Sequence, residues 1–282
     1  MNRLPSAGEA LAAVRARLRD GGIDQPGLES RLLVGLALRL QPEALMCRPE
    51  RPLDAEEGRR IDRLLARRLS LEPLAYILEE REFWSLPLTV TPDVLIPRPD
   101  SETLIEAALA WAHGRMDLKI LDLGTGSGCL LLAVLSELPD AWGLGIDISP
   151  AALAVARRNA ARVGVAERAA FVCADWGDAV RGGFDLILCN PPYVSTYEMA
   201  ALSPDIARFE PHRALDGGAD GLAACQRLMP DLARLKAAGG HIFLEIAADR
   251  SVATAALARQ ASLHVVEING DLAGRPRCLH LA

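Results

Sequence analysis

The chain has 282 residues, half of them hydrophobic, and 31 basic against 37 acidic side chains, for a net charge of −6. That length suits two small domains with a sizeable core, and the acidic balance argues against wholesale binding to a phosphate backbone. Six scattered cysteines without a Cys-x-x-Cys pair or Cys/His cluster exclude a zinc-ligand pattern and read as reduced thiols, and no uninterrupted apolar run reaches membrane-spanning length.

The N-terminal stretch, MNRLPSAGEALAAVRARLRD, is amphipathic but carries acids and lacks a continuous apolar core, so it is read as no secretory leader. A cytoplasmic protein is expected, with no membrane partner. Leu11, Val14 and Leu18 recur at helical spacing before Gly21-Gly22. Leu32, Leu33, Leu36 and Leu40 form a second stripe, stopped by Pro42. Asp54 and Glu57 make a capping box that opens a third helix carrying Ile61, Leu64, Leu65 and Leu69. Its arginines (59, 60, 63, 67 and 68) are read first as a solvated face, with a partner-facing surface as the alternative. Residues 1–78 are thus a helical domain.

From Arg81 to Ile96 the pattern alternates, as REFWSLPLTVTPDVLI, which predicts a hairpin turning near Ser85-Leu86-Pro87. It gives a linker over 79–98. In IPRPDSETLIEAALAWA, the prolines flanking Arg98 impose an extended segment, and Asp100 is placed to cap the following helix.

A strand-helix rhythm starts after Lys119. KILDLG, WGLGIDI, AAFVCAD, FDLILCN and GHIFLEI read as strands, and the intervening apolar stretches as helices, with Ser149-Pro150 opening one of them. Two further strands close the chain. Residues 99–282 therefore form an α/β domain with a mostly parallel sheet covered on both faces.

Ligands of such sheets lie at the carboxyl ends of the strands. There the chain has DLGTGSG, in which Gly124, Thr125, Gly126, Ser127 and Gly128 turn sharply into a helix. The dinucleotide fingerprint requires glycine at position 129, where this chain has Cys129, and no Lys-Ser/Thr pair follows to make a triphosphate loop. The next strand ends at Asp147, whose carboxylate can accept from both hydroxyls of a ribose. Alone, it is equally a helix-start acid. The third strand ends in Asp175-Trp176, which can flank a purine by hydrogen bonding and stacking, although a lone Trp is as often core. Three consecutive strand ends so equipped favour an adenosyl ligand.

The fourth strand should lie next to the Gly-loop strand and ends in Asn190-Pro191-Pro192-Tyr193. An amide or exocyclic amine is a poor nucleophile, and no protein side chain can deprotonate it outright. A site can aim it. The Asn190 side-chain carbonyl and a proline backbone carbonyl can accept its two N–H groups, while Tyr193 covers the planar group. Proline stiffens the backbone and brings no competing N–H.

Taken together, DLGTGSG, ID, ADW and NPPY resemble class I S-adenosylmethionine-dependent methyltransferases acting on planar nitrogen. PLAYIL…REFWSLPL, LIPRPDSETLIE, RFEPHRALDGGADGL, LEI and DLAGRPR are similar to the protein-(glutamine-N5) methyltransferases of the HemK/PrmC type, over nearly the whole chain. The resemblance implies a Rossmann-like methyltransferase domain and methylation of the Gly-Gly-Gln glutamine of class I peptide chain release factors. It also implies a helical domain that helps to dock the factor. A monomer is expected, and the acidic net charge argues against stable nucleic-acid binding. It assigns Gly124 to Gly128, Asp147, Trp176 and Asn190 to S-adenosylmethionine, Asn190 to Tyr193 to the glutamine, and Phe83 and Arg98 to the site lining. The stretch IPRPDSE favours release factors over the ribosomal-protein substrate of the related enzyme. Two positions depart from the family, Glu79 and Ala247, each where glycine is usual. The alternatives are an adenine-N6 or guanine-N2 nucleic-acid methyltransferase, which would need a basic track, and an idle cofactor-binding module.

Overall fold

The structure, a computed structural model, describes residues 5–282; residues 1–4, which begin the segment read above as no leader, lie outside the described residues. The chain divides into two units. One runs to Glu79 and takes in Pro204–Phe209, and the other comprises Glu80–Ser203 and Glu210–Ala282.

The first unit contains α1 (Ala7–Asp20), α2 (Pro26–Leu38), α3 (Pro42–Cys47), α4 (Ala55–Leu69) and α5 (Leu74–Leu78). Val14 and Leu18 of α1 meet Leu33, Val34 and Ala37 of α2 and Ile61 and Leu65 of α4 in one core. The stripe expected on α2 is displaced. Leu36 is exposed, and the helix stops at Leu38 because Arg39 turns into the left-handed region, leaving Leu40 outside. Asp54 and Glu57 form the expected capping box on α4. Its arginines are taken up within the unit: Arg59 and Arg63 by Glu56, Arg67 by Glu72, Arg60 by the Ala37 carbonyl, and Arg68 by Glu29 at 2.6 Å. Glu79 closes α5 with φ +57°, a conformation that glycine adopts without steric cost and other residues do not.

The second unit opens with β1 (Glu80–Phe83) and β2 (Leu86–Thr89), paired antiparallel with Phe83 opposite Leu86. The turn is Trp84-Ser85, both at positive φ (52° and 58°), one step earlier than its residue types indicate. These are the angles of the two-residue turn that matches strand twist. Pairing ends at Thr89, not Ile96. Phe83 and Leu88 are buried in the same core as α6 (Glu102–Ala112), so the hairpin belongs to this unit instead of standing as a linker. Asp100 caps nothing. It sits in a 3-10 turn, and its carboxylate pairs with Arg277 at 2.9 Å.

Next come β3 (Lys119–Leu123), α7 (Cys129–Glu137), β4 (Trp142–Asp147), α8 (Pro150–Val163), β5 (Ala169–Cys173) and β6 (Phe184–Cys189). They are followed by α9 (Thr196–Met199), α10 (Pro204–Phe209, counted with the first unit), α11 (Ala223–Leu235), β7 (Lys236–Glu245), α12 (Ser251–Gln260), β8 (Val265–Gly270) and β9 (Pro276–Leu281). The seven strands lie in the order β5-β4-β3-β6-β7-β9-β8, parallel from β5 to β7 and antiparallel in the last two pairings. Residues alternate along each strand between two cores. Ile120, Leu186, Leu188 and Phe243 face α6 and α7, whereas Leu121, Ile187, Ile242 and Leu244 face α11 and α12. From β3 the chain winds outward to β5, then returns to place β6 on the other side of β3. That reversal opens a crevice at the carboxyl ends of β3 and β6. Among the described residues no helix is long and apolar enough to cross a membrane.

Candidate active site

The turn after β3 is pinned by its neighbour strand. The N–H groups of Gly124 and Thr125 both donate to the Ile146 carbonyl at 2.9 Å, and the Gly126 N–H donates to Asp147 Oδ2 at 2.9 Å. Asp147 Oδ1 accepts from the Ser149 N–H at 2.8 Å, so one carboxylate ties the loop to the start of α8. Gly124 has φ +75°, and a Cβ there would stand 3.3 Å from the Trp176 ring; the glycine lets the backbone pass directly beneath the indole. Asn159, fully buried on α8, donates to the carbonyls of Ser127 (2.9 Å) and Thr89 (3.0 Å) and accepts from the Thr89 N–H (2.7 Å). The loop is braced from below by Thr125, whose hydroxyl donates to Asp122 Oδ2 at 2.6 Å. Burial raises the Asp122 carboxyl to about 7, against that hydrogen bond.

Above this turn lies a cavity of about 290 Å³. Gly124, Thr125, Gly126, Ser127, Asp147, Asp175, Trp176, Asn190, Pro192 and Arg98 all line it. The loop, both strand-end acids, the indole and the amide therefore converge on one space, as their order along the chain implied. Asp175 reaches it with its carboxylate already paired to Arg227. The Arg98 guanidinium donates to Glu210 Oε1 at 2.5 Å, and Glu210 Oε2 accepts from the Ile96 N–H, which clamps the Ile-Pro-Arg-Pro segment against the cavity.

Four expected residues are not on the cavity wall. Gly128 opens α7 behind the loop, and Pro191 is buried. Phe83, 2 % exposed, is core and not site lining, because the tight Trp84-Ser85 turn folds β1 onto α6. Tyr193 turns away, and its hydroxyl donates to Glu245 Oε1 at 3.2 Å. Burial, then the Glu245 charge, pushes that phenol well above its ordinary range. The segment after Tyr193 is held by the Leu215–Gly218 turn, where Val194 N–H donates to the Leu215 carbonyl and Gly217 N–H to that of Val194. A Cβ at Gly217 would come within 2.9 Å of the Pro192 carbonyl, so only glycine lets this turn close on the tetrapeptide.

Residue reading missed Ser101, Glu245 and Glu210 as site elements. All three are buried polar groups near the strand ends. Asn190 Nδ2–H donates to Ser101 Oγ at 3.5 Å, and burial raises the Glu245 carboxyl while Ser101, Arg277 and Tyr193 favour its charged form. Their stretches, RPDSE, LEI and RFEPHRALDGG, carried the resemblance, but no local signal gives them roles. Cys129 also lines the cavity. Burial lifts its thiol to about 12, so it holds no thiolate for covalent chemistry.

An adenosyl-sulfonium ligand fits these residues. The cavity is near the lower end of small-molecule pockets, roughly 300–1,000 Å³. Its floor is backbone kept bare by glycine, beside it stands a carboxylate already held by two N–H groups, and an indole forms one wall.

Residues 9–78 match the family described as PrmC N-terminal domain, and residues 101–207 match the methyltransferase small domain. A release factor glutamine methyltransferase from Rhodospirillum rubrum is 46% identical over 263 residues, covering 93% of this chain and 81% of that protein. Another of the same description from Caulobacter vibrioides is 41% identical over 270 residues, covering 95% and 93%. Among solved structures, a methyltransferase from Pyrococcus furiosus superposes with a TM-score of 0.51 at 16% identity, covering 70% of this chain and 88% of that one. That likeness bears on the fold alone, a Rossmann-like, mostly parallel sheet, and the matched methyltransferase small domain gives this unit its class.

Proposed function

Because the chain belongs to the release factor glutamine methyltransferases, we propose that it transfers the methyl group of S-adenosylmethionine to the side-chain amide nitrogen (N5) of the glutamine in the Gly-Gly-Gln motif of class I peptide chain release factors. The observation that carries this reading is that Asn190, at the end of β6, lines the same cavity as Gly124, Asp147 and Trp176.

S-adenosylmethionine, when bound, supplies an electrophilic methyl group on its sulfonium. In this reading Asp147 accepts from the ribose hydroxyls, Trp176 lies against the adenine, and the bare backbone at Gly124 admits close approach. Asn190 Oδ1 accepts one N–H of the substrate amide, and a backbone carbonyl of the proline pair accepts the other. The nitrogen is then aimed for in-line displacement. It gains the methyl group and loses one proton to water, since the product remains a neutral amide. Each positioning bond contributes on the order of 1 kcal/mol net, so orientation and not proton abstraction accounts for the rate. Tyr193 acts from behind: its bond to Glu245 stiffens the end of the tetrapeptide. The helical unit contributes to docking the release factor in the cytoplasm.

The test is methyl transfer from labelled S-adenosylmethionine to intact release factor, to a release factor carrying Ala for the motif glutamine, and to free RNA and DNA. Label is expected on the intact factor alone. Label on nucleic acid and none on the factor would overturn the reading.

A further inference from the structure

Asn190 offers the cavity an amide, and only one of its ends is an acceptor. If the Nδ2 end faced the substrate nitrogen, two donors would meet and the amide could not be held. Something must therefore set the flip of this side chain. The Asn190 Nδ2–H donates to Ser101 Oγ at 3.5 Å, and Ser101 is 2 % exposed. The bond is long, as hydrogen bonds of a site that tightens around its substrate are.

Ser101 has one proton to give. Its neighbour is Glu245, 1 % exposed at the end of β7. Cys189 pairs with Leu244 across β6 and β7, so the next residues, Asn190 and Glu245, stand side by side at the strand ends. Glu245 Oε1 is taken by the Tyr193 hydroxyl, whereas Oε2 is buried with no hydrogen-bond partner. Oε2 is thus the open acceptor beside Ser101, and a Ser101 hydroxyl turned toward it would satisfy that oxygen. Burial raises the Glu245 carboxyl, and the Ser101 hydroxyl and the Arg277 countercharge act the other way, toward its charged form. A Ser101 that gives its proton there accepts from Asn190 through its oxygen.

We propose that Ser101 and Glu245 are positioning residues of the methyl transfer, orienting the Asn190 amide so that Oδ1 meets the substrate nitrogen. Glu245 thus holds both ends of the tetrapeptide, Tyr193 directly and Asn190 through Ser101. The inference rests on the reading given under Proposed function.

The test compares Ser101→Ala, Ser101→Thr and Glu245→Gln with wild type, using intact release factor and S-adenosylmethionine. For Ser101→Ala, kcat is expected to fall about 100-fold. KM for the release factor and affinity for S-adenosylhomocysteine should stay within about threefold. Ser101→Thr, which keeps the hydroxyl, should recover most of the rate. Glu245→Gln should show the same kcat loss, because an amino group then replaces one of the two acceptor oxygens and presents donors to Tyr193 or Ser101. The Ser101 side chain makes no cap hydrogen bond to α6, so its removal leaves the helix start intact. Should Ser101→Ala nonetheless fail to fold, the Glu245→Gln rate decides alone. A kcat within about threefold of wild type in the folded variant overturns the proposal. Absence of transfer by wild type would remove the functional reading, and the relay with it; active variants would remove only the relay.

Discussion

Asp147 gives the sharpest quantitative test of the cavity. Both its oxygens already accept a backbone N–H, from Gly126 at 2.9 Å and from Ser149 at 2.8 Å, which leaves one further lone pair on each, and the residue lines the cavity. A hydrogen bond to a charged group contributes roughly 1.5–3 kcal/mol, and the lower figure suits a half-exposed carboxylate. Two ribose hydroxyls then amount to about 3 kcal/mol, or about 100-fold in affinity. Asp147→Ala should weaken S-adenosylhomocysteine binding by that factor. Asp147→Asn keeps one acceptor oxygen, turns an amino group toward one of the backbone N–H donors, and should lose about 10-fold. Isothermal titration of the full chain, with circular dichroism to establish that the fold is kept, gives the series. An Asn variant that binds like wild type refutes the two-hydroxyl assignment. Asn and Ala variants of equal weakness would show that only one oxygen counts.

Three other outcomes are expected. Asn190→Ala should lower kcat by about 100-fold or more while S-adenosylhomocysteine still binds; an unfolded variant would instead make Asn190 a structural strand exit. Glu79→Gly removes a left-handed residue that costs roughly 1–2 kcal/mol. Against glycine's added unfolded-chain entropy of roughly 0.5–1 kcal/mol it should still raise the urea midpoint of the full chain, and a lower midpoint contradicts the strain argument. Finally, His241 Nδ1 and His280 Nε2 are 2.7 Å apart between β7 and β9. Burial, then the neighbouring His241, depresses His280 to about 4, and burial also lowers His241. The unfolded chain takes up these protons near the ordinary histidine value of about 6.5. Stability from the pair is therefore present above that pH and lost as pH falls toward 4. His280→Phe should flatten this part of a melting-temperature profile, and an unchanged slope rejects it.

Legibility in the sequence tracked how local each cause is. Strands β3 to β7 and the Gly loop were readable because apolar runs end in glycine, aspartate or asparagine at the sheet's carboxyl edge. The convergence of Asp147, Trp176 and Asn190 followed from strand order alone. α2 was misread in its facing because PGLESRLLVGLAL is apolar nearly all round, so periodicity cannot choose a side. The hairpin turn was displaced because Trp84 and Ser85 are not residues that mark positive φ. Asp100 looked like a cap, yet its partner Arg277 lies 177 residues away. Phe83 and Tyr193 stand off the cavity wall, since their burial depends on α6 and Glu245. Ser101 and Glu245 were silent for the same reason: single residues from opposite ends of the fold acquire a role only when packing sets them side by side.

Asn159 carries a consequence for how this chain tolerates change. Its amide has two protons and one oxygen, and all are spent: one proton on the Gly loop at Ser127, the other proton and the oxygen on Thr89 at the end of the hairpin. Peeling the hairpin from α8 would strand a buried amide, at roughly 1–3 kcal/mol for each group left unpaired. The loss would loosen the glycine loop in the same event. Substitutions along Glu80–Thr89, none of which line the cavity, should therefore register as altered grip on the adenosyl ligand. A hairpin that reads as mere connection is, mechanically, the outer support of the cavity floor.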